Sequence, residues 1–128
     1  MGADLYIKKL HKKETSDLRK SNAYFRDSYN MTNVLWTLGL SWWQDVIPLL
    51  NEELELKDEN LQRFRDQVVN AKQQLPTAEE LRENNVEVSD AGENSIENWH
   101  RHFVEKRQEL SAFLDRAIEN NSAILCSL

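Results

Sequence analysis

Glu97 and His100 stand three residues apart, the Glu-x-x-His spacing on which carboxylate-bridged metal centres are built between facing helices. Such a centre needs a second copy of the motif and two further carboxylates. The chain has no second Glu-x-x-His, and the apolar series Leu61, Phe64, Val68 offers no inward acid. His102 cannot substitute, because two residues along a helix it points about 200° away from His100. No metal and no cofactor is expected. Cys126 is the single cysteine, so an internal disulfide is excluded and a reducing compartment is the default. No His, Lys or Arg adjoins it in sequence to activate its sulfur, and it reads as a structural thiol. Nucleotide-binding glycine loops, nucleophile elbows and Cys-x-x-Cys pairs are all missing. That removes enzyme classes with local signatures and leaves those whose sites assemble from distant residues, so catalysis stays open.

The densest recognition chemistry lies in Tyr24-Phe25-Arg26-Asp27-Ser28-Tyr29-Asn30, upstream of Trp36, Trp42 and Trp43. A cation, a carboxylate, an amide and two phenols stand beside a tryptophan-rich run. A pocket with apolar walls and a few convergent polar groups has this composition. Its candidate binding residues are Arg26, Asp27, Tyr29, Asn30, Trp42 and Trp43, with no catalytic role assigned to any of them. A plainer reading competes with it. Asp27, Ser28 or Asn30 caps the following helix, and Arg26 holds Asp27 or another acid. The two readings separate on whether Arg26 and Asp27 pair with each other or point into an open cavity.

Three long helices are expected to position these groups. Ile96, Trp99, Phe103, Leu110, Phe113 and Ala117 alternate by three and four, one apolar stripe from about Ser95 to Asn120, with Lys106 its polar interruption. Leu61, Phe64, Val68, Ala71 and Leu75 form a second stripe from Asp58, a candidate cap, to Pro76. Two such stripes demand each other, most simply as an antiparallel pair. The uncharged run Met31 to Trp43 suggests a third helix, Thr32 to Val46, apolar on all sides and therefore central, with Gly39 marking a close approach or a bend. Trp36, Leu38 and Phe103 should lie in the core. Thr77 and Glu80 make a capping box for a short fourth helix, and 84–94 reads as a loop. Leu5, Tyr6 and Ile7 should tuck against the bundle, extended or helical, and the tail Ile124, Leu125, Leu128 should pack. The expected fold is all-α, a single domain over 1–128 with 1–22 loosely packed or mobile. Three glycines and two prolines leave little material for the turns of a β-sandwich or barrel.

The net charge of −6 is uneven: residues 1–30 carry seven basic and four acidic groups, residues 44–128 nine and eighteen. An acidic bulk repels polyanions, so nucleic acid is not an expected partner. No apolar run is long enough for a bilayer, and no membrane association is expected. Trp42 and Trp43 are adjacent, hence about 100° apart on a helix, and both can be buried only with cover on two sides. An exposed one, beside Leu40 or Ile47, would be a patch for a homodimer or a protein partner.

The opening MGADLYI, the block YFRDSYN with VLWTLGLSWW after it, and the closing ILCSL resemble an uncharacterised family of small bacterial helical proteins. The resemblance implies a bacterial source and supplies no activity, cofactor or catalytic residue. The reading that follows is a cytoplasmic, non-enzymatic binding or interaction module. The alternative is a small enzyme or metabolite-binding protein with a pocket beside the RDSYN segment.

Overall fold

A computed structural model describes residues 2–11, 23–28 and 32–128. Strand β1 (Gly2–Ile7) leads through the single turn α1 (Lys8–His11), and β2 (Tyr24–Ser28) precedes the short helix α2 (Val34–Thr37). A π-turn at Trp42–Val46 and a 3₁₀ turn at Ile47–Leu49 follow. Then come β3 (Glu55–Leu56), α3 (Asp58–Asn70), α4 (Ala78–Glu83), α5 (Ile96–Glu119) and β4 (Ile124–Ser127). The four strands form an antiparallel sheet in the order β2-β1-β4-β3.

The sheet corrects the all-α expectation, and both ends of the chain build it. Leu5 of β1 lies opposite Phe25 of β2 on one side and Cys126 of β4 on the other. Residues 2–11 are therefore not a loose extension: Ala3, Leu5 and Ile7 are completely buried. The expectation for 12–22 falls outside the described residues. Strict alternation does the sorting, as strand geometry requires. Ala3, Leu5, Ile7, Phe25, Asp27, Ile124 and Cys126 turn inward, while Asp4, Tyr6, Tyr24 and Arg26 occupy the opposite face. A strand of four to six residues shows too few alternations to be distinguished from a loop. Its stability comes from partners far away in sequence.

The helices keep closer to their patterns. α5 starts after Ser95, whose hydroxyl accepts from the Asn98 amide at 3.3 Å, and it buries Phe103, Leu110, Phe113, Leu114 and Ala117. α3 runs antiparallel to it, with Arg65 bound to Asp115 at 2.9 Å and Arg107 donating to the Val68, Val69 and Ala71 carbonyls. That arginine satisfies carbonyls that the end of α3 leaves open. The second stripe stops earlier than expected. Beyond Asn70 the chain extends, and Gln73 and Gln74 cross to Thr37 while Leu75 lies exposed. Asp58 does not cap α3; it adopts φ 53° just inside it. Thr77 and Glu80 do close their box around α4.

The tryptophan run is not one helix. Gly39 takes φ +72°, a conformation that ends α2 and that side chains rarely tolerate. Ser41 then opens the π-turn: its hydroxyl accepts from the Trp43 and Gln44 amides, and the Asp45 carboxylate accepts from the Ser41 amide at 2.8 Å. Capping on both sides of Gly39 makes two short turns more favourable than one continuous helix. The core lies between the inner face of the sheet and α2, α3, α5 and Trp42. Leu38 and Phe103 are buried as expected, whereas Trp36 is only half-buried.

Replacing Phe103, which is 1% exposed, by Ala removes a ring from a filled site. The expected loss is about 3–5 kcal/mol of unfolding free energy, read by urea denaturation. A loss below about 1 kcal/mol would mean that the site collapses around the missing ring or that the ring is not packed.

Candidate functional site

Asp27 is the most unusual residue of the recognition segment. It is a carboxylate 4% exposed, on the inner face of an edge strand, with no cation among the described residues paired to it. Its Oδ1 accepts from the Ser28 amide at 3.0 Å and the Val34 amide at 3.2 Å, and its Oδ2 accepts from the Trp42 indole at 2.8 Å. Burial raises the carboxyl pKa, and the hydrogen bonds from the Trp42 indole and the Val34 and Ser28 amides oppose that rise. The N-cap of α2 is Asn33, which accepts from the Trp36 amide at 2.9 Å, and not Asp27 or Ser28 as expected; Asp27 adds an acceptor for the Val34 amide of the same first turn.

Arg26 does not pair with Asp27, although both residues line the cleft described below. Adjacent residues of a strand point to opposite faces. The Arg26 Nε lies 3.8 Å from Asp4 on the outer face, where Tyr24 also donates to Asp4. Gly2 permits this crossing, since a Cβ there would stand 2.7 Å from both the Arg26 Nε and the Asp27 carbonyl oxygen. Burial, with Asp4 beside it, pushes the Tyr24 hydroxyl up to about 12. Farther along the chain, the nearly buried Glu55 of β3 accepts from Lys8 and from Asn51. These contacts lower the pKa of Glu55 and raise that of Lys8. Tyr29 and Asn30, the remaining candidates of the segment, lie outside the described residues.

The two tryptophans part company. Trp42 is 2% exposed, packed 5.8 Å from the Phe64 ring and tied to Asp27. Trp43 is 62% exposed. The other candidate groups for chemistry are occupied. The His100 Nε2 lies 2.7 Å from the Pro76 carbonyl, so that nitrogen carries the hydrogen and cannot ligate a metal. Among the described residues no cluster of three His, Cys, Asp or Glu is arranged for a metal ion. Cys126 faces the core, and burial pushes its thiol up to about 12.

A cleft of about 460 Å³ opens at the end of β2, between the start of α2 and the first half of α5. Arg26 and Asp27 contribute to its rim and floor, but Trp99, His102 and Lys106 of α5 form its other side. The sequence does not show these three as a group, because Trp99 and Lys106 fall on the apolar stripe and His102 reads only as a candidate metal ligand. The available signal was their spacing by three and four, which puts them on one helical face.

The chain matches no protein-family model, no curated protein and no solved structure. No helix among the described residues is long and apolar enough to cross a membrane.

The Lys8–Glu55 pair sets an acid limit. A carboxyl whose pKa is lowered on folding contributes stability above its unfolded value, and that contribution disappears as pH falls through the lowered value. Asp27, raised on folding, acts with the opposite sign and gains relative to the unfolded chain as it protonates. In urea melts from about pH 7 to about pH 3, Glu55→Gln should lower stability near neutrality and flatten the acid decline. A parallel downward shift at every pH would contradict the lowered Glu55 pKa.

Proposed function

We propose that this chain is a non-enzymatic interaction module whose contact with a protein partner centres on Trp43. The observation that carries the reading is the contrast within the Trp42–Trp43 pair, 2% against 62% exposed. An exposed indole on a mobile loop would lose much of its contact energy to ordering. Trp43 instead stands on a turn held by the Asp27–Trp42 hydrogen bond and by the Ser41 hydroxyl beneath its own amide. Preorganised tryptophans of this type dominate protein interfaces. The groups best suited to catalysis support the same conclusion by their engagement elsewhere. The Asp27 carboxylate serves three donors, Cys126 is buried, and one His100 nitrogen is fixed to a carbonyl.

A second copy of the chain is the partner this reading tests first, because a two-fold dimer is the commonest assembly and needs one self-complementary patch. The bacterial cytoplasm is the proposed setting. The lone cysteine suits a reducing compartment, and the MGADLYI, YFRDSYN and ILCSL resemblance supplies the bacterial source.

Sedimentation at micromolar concentration should show a dimer that Trp43→Ala weakens by about 2 kcal/mol or more, roughly thirtyfold, without lowering the melting temperature. A second binding partner would appear as Trp43-dependent association with another protein by a monomeric chain. Trp43→Ala leaving every association unchanged would refute the proposal.

A further inference from the structure

The cleft beside β2 has a charge balance unlike the rest of the molecule. His102 and Lys106 lie one turn apart on α5, so both face the same side. Among the described residues Asp27 is the one acid that lines the cleft, and its oxygens are held by the Ser28 and Val34 amides and the Trp42 indole. Two cationic or protonatable groups therefore meet no exposed carboxylate within the lining, in a chain whose net charge is −6. A concave surface concentrates such a field, and the acidic remainder of the surface repels the same anion. Lys106 has an ion pair with Glu109 at 3.6 Å, but that pair is solvated and exchanges readily for a better acceptor.

The walls add a second requirement. Trp99 is fixed by its indole, which donates to the Glu87 carbonyl at 3.0 Å, and His102 stands edge-on to it with ring centres 5.8 Å apart. Val34 and Val86 supply apolar surface. A cleft of about 460 Å³ falls in the size range of small-molecule sites, which pair apolar walls with a few placed polar groups. Arg26 reaches the rim, but its guanidinium is engaged by Asp4 on the outer face and is left out of the anion's direct contacts.

We infer that this cleft binds a small organic anion, a carboxylate carried on a flat apolar ring, with Lys106 and His102 holding the carboxylate and Trp99 facing the ring. The site shares no lining residue with Trp43, and the inference stands independently of the proposed protein contact.

Benzoate is the probe, with benzamide as its uncharged counterpart of nearly the same shape. In ¹H–¹⁵N spectra of the full chain, benzoate should shift the Trp99 indole signal and the amides around His102 and Lys106 in a saturable way. Benzamide should bind about tenfold more weakly or less, and Lys106→Gln should weaken benzoate by about tenfold. Lys106 also sits 5.0 Å above the Phe25 ring, so its replacement can disturb the fold. His102→Gln, at an exposed position, is the second variant and should weaken benzoate while leaving the melting temperature unchanged. Equal affinity for benzamide and benzoate, unweakened binding by His102→Gln, or no saturable shift with benzoate would each overturn the inference.

Discussion

A buried carboxylate is expensive, and Asp27 is tolerated because three donors converge on it. Those donors come from three separate pieces of chain. The Ser28 amide belongs to the end of β2, the Val34 amide opens α2, and the Trp42 indole comes from the π-turn. One side chain thereby links the end of β2, the start of α2 and the tryptophan turn. Once Trp42 is turned inward to reach Asp27 and Phe64, its neighbour Trp43 is directed elsewhere, and it is exposed. The same buried acid also lines the cleft beside β2.

The sheet applies a second constraint at the scale of the whole chain. β1 and β4 are the first and last elements and lie side by side at its centre. The interior cannot close until the two ends have met, which is the slow, non-local kind of contact. The Lys8–Glu55 pair reinforces the same side, linking the residue after β1 to β3. α5 then covers the inner face, with Phe113 5.9 Å from Phe25 and Lys106 over the same ring. Strand and helix share one aromatic side chain, so β2 is held on its inner face although it is an edge strand.

The long helices were legible because burial on one face repeats over many turns. Ser95, Phe103, Leu110, Phe113 and Ala117 are enough to place α5 within a residue of its ends. The strands were not, because Gly2–Ile7 and Ile124–Ser127 each show only two or three alternations and receive their partners from the opposite end of the chain. Trp42 and Asp27 were recognisable as residue types suited to a site, but their hydrogen bond spans fifteen residues and has no local signature. The separation of Arg26 from Asp27 follows directly once that segment is a strand, since neighbours then face opposite ways. Gly39 was the visible mark of a bend, and Ser41 two residues later turned the bend into a break. Lys106 reads as a polar interruption of the α5 stripe, and nothing local reveals the end of β2 across from it and His102.

The central claim is that the Asp27 carboxylate and the Trp42 indole act as one structural unit. A double-mutant cycle with Asp27→Asn and Trp42→Phe measures this directly, because Phe keeps a ring at that site while removing the donor. Unfolding free energies of the four proteins should show a coupling of about 1–3 kcal/mol, the range for a buried hydrogen bond to a charged group. Effects that add to within about 0.3 kcal/mol would show that the two residues act independently and that Asp27 does not organise the junction.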